Sequence, residues 1–378
     1  MQLSVLQDNL LSALTAVSKA IESRPPLPVL ANILLEATED NRLRVVASNL
    51  QISITVWIGA KVDRPGVITL PARTFTDLIS RLSKERVDLT LEEASSTVTV
   101  KCGATVSSVK GIAATEYPPV KRSEAAGVIV PAAALKSMIL QTAFACARED
   151  NRPILTGVYV RIDGSEMTLA AADGYRLAVR TASLADSSPS AQMVIPARAL
   201  LEAARLMTDA DEVCLHLGNE KNIVTLAIGD RVEISSQLLE GRFPDFAAII
   251  PAQHTTRAVL DTQIWLKTCQ TAEIFARDDA HSGLLKIVPP QGLPGLGTEG
   301  EMVVTGRSAE RGHADNRLPS VVEGAAVDMH FDIRFLIEVL NVIDEDRVVF
   351  ECNGMDSPGV MYPVGRRDFQ HIIMPMTR

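Results

Sequence analysis

The feature that most constrains this chain is a pattern that returns six times: a short apolar strand, a Pro or an Asp, then a helix with apolar residues at i, i+3, i+4 and i+7. With Pro it reads VITLPARTFTDLISRL (67–82), VIVPAAALKSMILQT (128–142) and MVIPARALLEAARLM (193–207). With Asp it reads LSVLQDNLLSALTAVSKAI (3–21), AVLDTQIWLKTCQTAEIF (258–275) and MHFDIRFLIEVLNVI (329–343). Pro suits a first helical turn, where its missing N–H removes no bond. Asp8, Asp261 and Asp332 are expected to cap free backbone N–H groups and to favour the helix dipole.

The markers Asp8, Pro71, Pro131, Pro196, Asp261 and Asp332 lie 63, 60, 65, 65 and 71 residues apart. So regular a period signals a repeated supersecondary unit. Between the helices run β-rich stretches such as RLRVVASNLQISITVWIGA (42–60), VDLTLEEASSTVTVKCG (87–103) and EMTLAAADGYRLAVRTASL (166–184). Each unit therefore reads as a strand, a helix and about three strands, which makes the fold class α+β. Linkers rich in Pro and small residues near 117–127 and 247–257 group the six units into three domains, 1–120, 128–250 and 254–378.

Charge is the first functional constraint. The chain of 378 residues carries a net charge of −9, which argues against a protein that holds DNA by affinity for its phosphates. A protein that surrounds DNA is still allowed, provided its positive charges gather on one surface. Arg73, Arg81, Lys136, Arg198, Arg205, Lys267 and Arg334 lie on the repeated helices, interspersed with Asp77, Glu202, Glu273 and Glu338. Any one of them reads first as part of a solvated helix face; their repetition is what would sum them. Five scattered cysteines predict reduced thiols and a cytoplasmic setting. No apolar run reaches the ~18 residues of a membrane span.

Catalytic signals are absent from the sequence. Gly295-Leu-Gly297-Thr-Glu-Gly300 matches the dinucleotide fingerprint, but PPQGLP before it and the strand-like EMVVTGR after it are the wrong context. The six histidines show no metal-ligand spacing, and there is no P-loop, G-x-S-x-G or H-E-x-x-H. An enzyme is disfavoured, with no cofactor and no metal expected. Two segments are harder to dismiss. AADGYRLAV (171–179) sets a Gly-containing turn between β-like runs, and LLEGRFPDFAAIIP (238–251) puts aromatic residues in a linker. The chain also closes on HIIMPMTR, apolar in a place where ends ordinarily fray. It reads equally as a final core strand or as part of a groove for peptide side chains.

These segments carry a resemblance. SRPPLPVLANILLEA (23–37), LPARTF (70–75), AADGYRLAV, LEGRFPDFAAIIP and the terminal MPM together resemble the β sliding clamp of bacterial DNA polymerase III, in register over the whole length. The resemblance implies three clamp domains, each with two helices and two small antiparallel sheets, and two subunits closing head to tail into a ring. It implies as partners a second copy of the chain, double-stranded DNA, an ATP-driven clamp loader, and the polymerase III alpha subunit with other polymerases and repair proteins. These last would be held through short peptides, and no membrane is involved. A paralogous clamp-like scaffold that does not serve the main polymerase is the alternative.

Matched residue by residue, the resemblance implies a peptide pocket of Leu155, Gly174, Tyr175, Arg176, Leu177, Pro244, Ile249, Val360, Ile372, Met374 and Met376, edged by Arg152, Ala172 and Pro358. Arg176 would support the turn rather than touch the peptide. Ala248 stands where the family is familiar with a basic residue, so an acidic peptide residue would be favoured less. DNA would meet Arg24, Arg73, Arg198 and Arg205, whereas Glu149 would repel phosphate. Val106 and Ser108 of one subunit would meet Ile274 and Phe275 of the next, and the longer loop 289–300 has no assigned role.

Overall fold

The structure, a computed structural model, describes residues 1–123, 125–149, 151–217, 222–290 and 300–376. Among these are six α-helices: α1 Gln7–Val17, α2 Ala72–Ser80, α3 Ala132–Ala143, α4 Ala197–Leu206, α5 Thr262–Ala276 and α6 Ile333–Leu340. Each begins at one of the six markers. Pro71 is the residue immediately before α2, Pro131 and Pro196 stand just before α3 and α4, and Asp261 and Asp332 are the caps of α5 and α6. Asp261 accepts from the Ile264 N–H and Asp332 from the Arg334 N–H. Asp8 departs from expectation: it sits inside the first turn behind Leu6, makes no capping bond, and faces Lys84 at 3.3 Å instead.

The strand count per unit also holds, with two modifications, of which the first is a short fourth strand, Lys61–Arg64, in the first unit. The third unit has two long strands in place of three, Gly157–Ala172 and Arg176–Pro196. The second of these, 21 residues long, runs through LADSSPSAQ, a stretch whose composition signals a turn, and delivers the chain to α4. Its pairing slips where Pro189 lies, between Ser188 and Ala191, so the missing N–H falls where the ladder is already broken.

The chain divides into two compact units, Met1–Lys136 with Arg198–Leu238, and Ser137–Ala197 with Leu239–Arg378. In the first, an eight-stranded antiparallel sheet runs continuously from Gly127–Pro131 to Gly66–Pro71. Its middle joins Val232–Gln237 to Ile52–Gly59, with Ile234 opposite Ile54 and Ser235 opposite Ser53. Buried hydroxyls there satisfy one another: Ser48 with Ser53 at 2.8 Å and Thr225 with Ser235 at 3.0 Å. Helix α1 lays Leu10, Leu14 and Val17 into the core and packs on α2, which contributes Phe75 and Ile79. A second sheet, of five strands, ends on the edge strand Thr105–Lys110, which pairs on one side with Thr97–Cys102.

The second unit holds a ten-stranded antiparallel sheet, from the hairpin Gly157–Ala172 and Arg176–Pro196 through the terminal strand Phe369–Ile373 to Val327–Asp332. Helices α5 and α6 pack on each other, and the Trp265, Phe350 and Phe331 rings meet edge to face at 6.0 Å. No helix among the described residues is long and apolar enough to cross a membrane, and all five cysteines are free.

Candidate functional site

The expected pocket residues lie in the second unit, where three separate stretches of chain converge. The first is the turn Asp173–Tyr175. Asp173 folds it by accepting from the backbone N–H groups of Tyr175 and Arg176, at 2.9 and 3.0 Å. Gly174 holds φ near +97°, a conformation a side chain would strain. The second stretch is the chain end. Ile372 pairs with Leu177 on one side and with Val360 on the other. Beyond the strand, the Met374 N–H donates to the Tyr175 carbonyl at 2.8 Å and the Met376 N–H to that of His330 at 2.7 Å. The terminal Met-Pro-Met is thus docked by its backbone. The third stretch is the linker, from which Phe243 enters the core and stacks on Tyr159 at 5.3 Å.

Strand alternation sorts these residues onto two faces. On one, Leu155, Leu177, Val360 and Ile372 are buried in a single cluster with Val179, Phe243, Val349 and Tyr362. Ala172 and Ile250 pack against it half-buried. The expected floor of the pocket is therefore filled by side chains, and its surface is the rim. Tyr175 is 68 % exposed, Ile249 44 % and Met374 40 %, with Gly174, Pro244, Ala248 and Arg152 exposed and Pro358 and Met376 half-buried. A rim of large apolar groups around an apolar floor is a surface whose covering is favourable by about 25 cal/mol per Å².

On the opposite face lies Arg176, which is buried. Its Nε donates to Asp173 at 3.0 Å, its Nη1 to Glu338 at 2.5 Å and its Nη2 to the Phe144 carbonyl at 2.8 Å. The guanidinium also sits 4.2 Å from the Phe335 ring centre. Glu338 uses its other oxygen to hold Arg148 at 2.6 Å. His371 is fully buried on this face, and burial first, then the charge of Arg176, holds its imidazole down at about 3. A cavity of about 310 Å³ opens beside Tyr175, lined by Cys146, Arg148, Glu149, Arg334 and Phe335 among others. Phe243, Tyr362 and Glu338 also belong to this candidate site by packing or pairing, and the sequence reading did not single them out for it. GRFPD held the first in plain view, whereas Glu338 looked like an ordinary helix charge.

The residues expected to meet DNA lie in the first unit and differ in freedom. Arg24 and Arg73 are exposed, and their side chains make no hydrogen bond or ion pair among the described residues. The Arg198 Nη2 donates to the Lys19 carbonyl at 2.7 Å, and Arg205 is held by Glu202 at 2.5 Å. Nor do the helix charges form a uniform solvated face, for Glu202 and Glu273 are buried and Lys136 reaches the Met207 carbonyl. Glu149, in the second unit, is exposed. Among the expected interface residues, Val106 (62 % exposed) and Ser108 lie on the edge strand, Ile274 is exposed on α5, and Phe275 is half-buried. The loop stretch 291–299, with most of the glycine fingerprint, lies outside the described residues. No group of His, Cys, Asp and Glu that could hold a metal occurs among the described residues.

Comparison with known proteins matches three successive stretches of the chain. Residues 1–121 match the N-terminal domain, 129–245 the central domain and 247–377 the C-terminal domain of the DNA polymerase III beta subunit. The beta sliding clamp of Synechococcus elongatus is 29% identical over 383 residues, covering 100% of this chain and 99% of the relative. That of Staphylococcus aureus is 28% identical over 387 residues, with the same coverage. The crystal structure of the DNA polymerase sliding clamp from Bacillus subtilis superposes with a TM-score of 0.92 at 24% identity, covering 100% of this chain and 99% of that one. The beta subunit from Streptococcus pyogenes superposes at 0.91 with 25% identity, covering both chains completely.

Proposed function

The chain belongs to the DNA polymerase III beta subunit family, and on that premise we propose that it is a non-catalytic sliding clamp. It encircles duplex DNA as a ring of two copies and holds polymerases and repair proteins there through short peptides. The observation that carries this reading is the match of all three domains, in order, across nearly the whole chain. A net charge of −9 fits an encircling protein, whose contacts with DNA must be weak enough to slide.

The peptide site is the rim of Tyr175, Pro244, Ile249, Met374 and Met376 over the floor of Leu155, Leu177, Val360 and Ile372. Arg152, Ala172, Gly174, Ala248 and Pro358 edge it, and Arg176 acts from beneath by fixing the turn that carries Tyr175. Arg24 and Arg73 offer unpaired charges to phosphate, with Arg198 and Arg205 contributing less because each already holds a partner. The edge strand with Val106 and Ser108 meets the α5 surface of Ile274 and Phe275 on the second copy. Such a contact is heterologous, and it closes after two subunits.

The deciding experiment loads the protein on nicked circular DNA with clamp loader and ATP, and then cuts the circle. Retention on the circle with loss from the linear form is the expected result. Equal retention on both forms would mean binding by affinity and would overturn the encircling mechanism.

A further inference from the structure

At the end of the apolar cluster one buried carboxylate collects four polar partners. Glu351, on the strand Arg347–Cys352, is buried on the same sheet face as Val349 and Val360. Its Oε1 accepts from the Tyr362 hydroxyl and from the Arg367 Nη2, the latter at 3.0 Å. Arg257 approaches the same oxygen at 3.7 Å and His254 at 3.4 Å. The Arg367 Nη2 also donates to the Tyr362 hydroxyl at 2.6 Å, and its guanidinium lies 4.2 Å from the centre of the Tyr362 ring. That ring is a member of the apolar cluster beneath the peptide site.

We propose that Arg367, held in place by Glu351 and Tyr362, is the acid-recognising element of the peptide site and selects peptides that carry a carboxylate beside their apolar anchors. The proposal rests on the peptide-site reading above and names the partner's chemistry.

The argument is one of charge left over. A buried carboxylate is costly unless paired, and here two guanidinium groups and a phenol compensate it. Arg257 is shared with Glu323, which it meets at 3.5 Å, so its charge is balanced twice. Arg367 is not. It is 60 % exposed, its side-chain hydrogen bonds all use Nη2, and Nε and Nη1 have no partner among the described residues. An arginine carries five donors in a rigid fork, so the remaining edge is preorganised for a carboxylate. Stacking on Tyr362 and pairing with Glu351 have already restricted the side chain, which lowers the entropy that binding would otherwise cost.

The test uses the full-length protein and a labelled peptide with Leu and Phe anchors, made with Asp or with Asn at each flanking position. Wild-type protein is expected to favour one Asp peptide over its Asn twin by about fivefold, a preference that shrinks as salt is raised. In Arg367→Gln the ratio should fall to about one, and Arg367→Lys should restore part of it, while thermal midpoints report that each variant folds. A wild-type ratio of one, a ratio indifferent to salt, or a ratio unchanged in Arg367→Gln would overturn the proposal while leaving the peptide site standing. Failure of both peptides to bind would overturn the peptide site, and this proposal with it.

Discussion

The two linkers of the chain solve the same packing problem and leave different surfaces. Each follows the last strand of a domain and buries an aromatic side chain in an apolar cluster. In the first unit Tyr117 joins Val29, Leu30, Leu34 and Val46, and burial pushes its phenol up to about 12. In the second, Phe243 joins Leu155, Leu177, Val360 and Ile372. The Tyr117 cluster has five buried members, the Phe243 cluster eleven. The larger one also has a docked chain end and an Asx turn beside it, and these supply Met374 and Tyr175 to the surface. A linker aromatic alone makes a seam; a linker aromatic plus a docked Met-Pro-Met segment makes the exposed apolar rim proposed as the peptide site.

Truncating the two aromatics is the strongest test of that difference. Phe243→Ala and Tyr117→Ala should each lower stability by roughly 3–5 kcal/mol, the usual cost of emptying an aromatic position in a core. Only Phe243→Ala should also weaken peptide binding, because only its cluster lies under the rim. Equal loss of peptide binding in both variants, measured by fluorescence anisotropy alongside the unfolding midpoint, would erase the distinction.

The support beneath the rim comes next. Arg176→Met removes bonds to Asp173, Glu338 and the Phe144 carbonyl, leaving two half-buried carboxylates with one partner fewer each, although Glu338 keeps Arg148, at a cost of roughly 1–3 kcal/mol. Because Asp173 and Tyr175 belong to the same turn, peptide affinity should fall about tenfold although Arg176 lies on the far face. The neighbouring His371 adds a pH signature. Its folded value of about 3 lies below the ordinary 6.5, so between these the unfolded chain binds the extra proton. The contribution is complete above pH 6.5 and is lost as pH falls towards 3, with a slope of at most about 1.4 kcal/mol per pH unit. His371→Phe should flatten the stability curve in that window and leave it unchanged above pH 7.

How far the sequence reveals this arrangement depends on whether the signal is local. The six helix starts are legible because Pro and Asp act within one turn of themselves, and Asp8 misleads because it stands two positions past the cap, Leu6. The strand Arg176–Pro196 is not legible as one strand, since SSPS carries turn composition while the ladder simply slips past Pro189. Of the apolar residues proposed for the site, Tyr175, Leu177, Pro244, Met374 and Met376 lie in the local motifs DGYRLAV, GRFPD and MPM. The pairing of Arg176 with Glu338 lies in no local motif, because its partners are 162 residues apart and both wear the charge of a surface residue. Arg367 and Glu351 are hidden for the same reason.

A smaller effect separates rim from floor. Met374→Ala should cost about 1–2 kcal/mol of peptide affinity with little change in unfolding midpoint, because a side chain 40 % exposed contributes more to a partner than to the core. Its backbone bond to the Tyr175 carbonyl survives the substitution. Loss of stability in step with loss of binding would make Met374 a core residue like Ile372.

The smallest effects belong to the first unit, where the comparison predicts charge without recognition. Arg24 and Arg73 carry no partner, so Arg24→Ala and Arg73→Ala should each lower the salt dependence of DNA association by roughly one phosphate contact. Arg205 is already paired with Glu202, and its removal should change the slope by less. None of the three should alter peptide affinity, since none touches the Phe243 cluster. If Arg205→Ala instead matched Arg73→Ala, its pair with Glu202 would have to open on DNA, and the acidic residues interspersed on the helices would be latches on the positive ones rather than a diluting background.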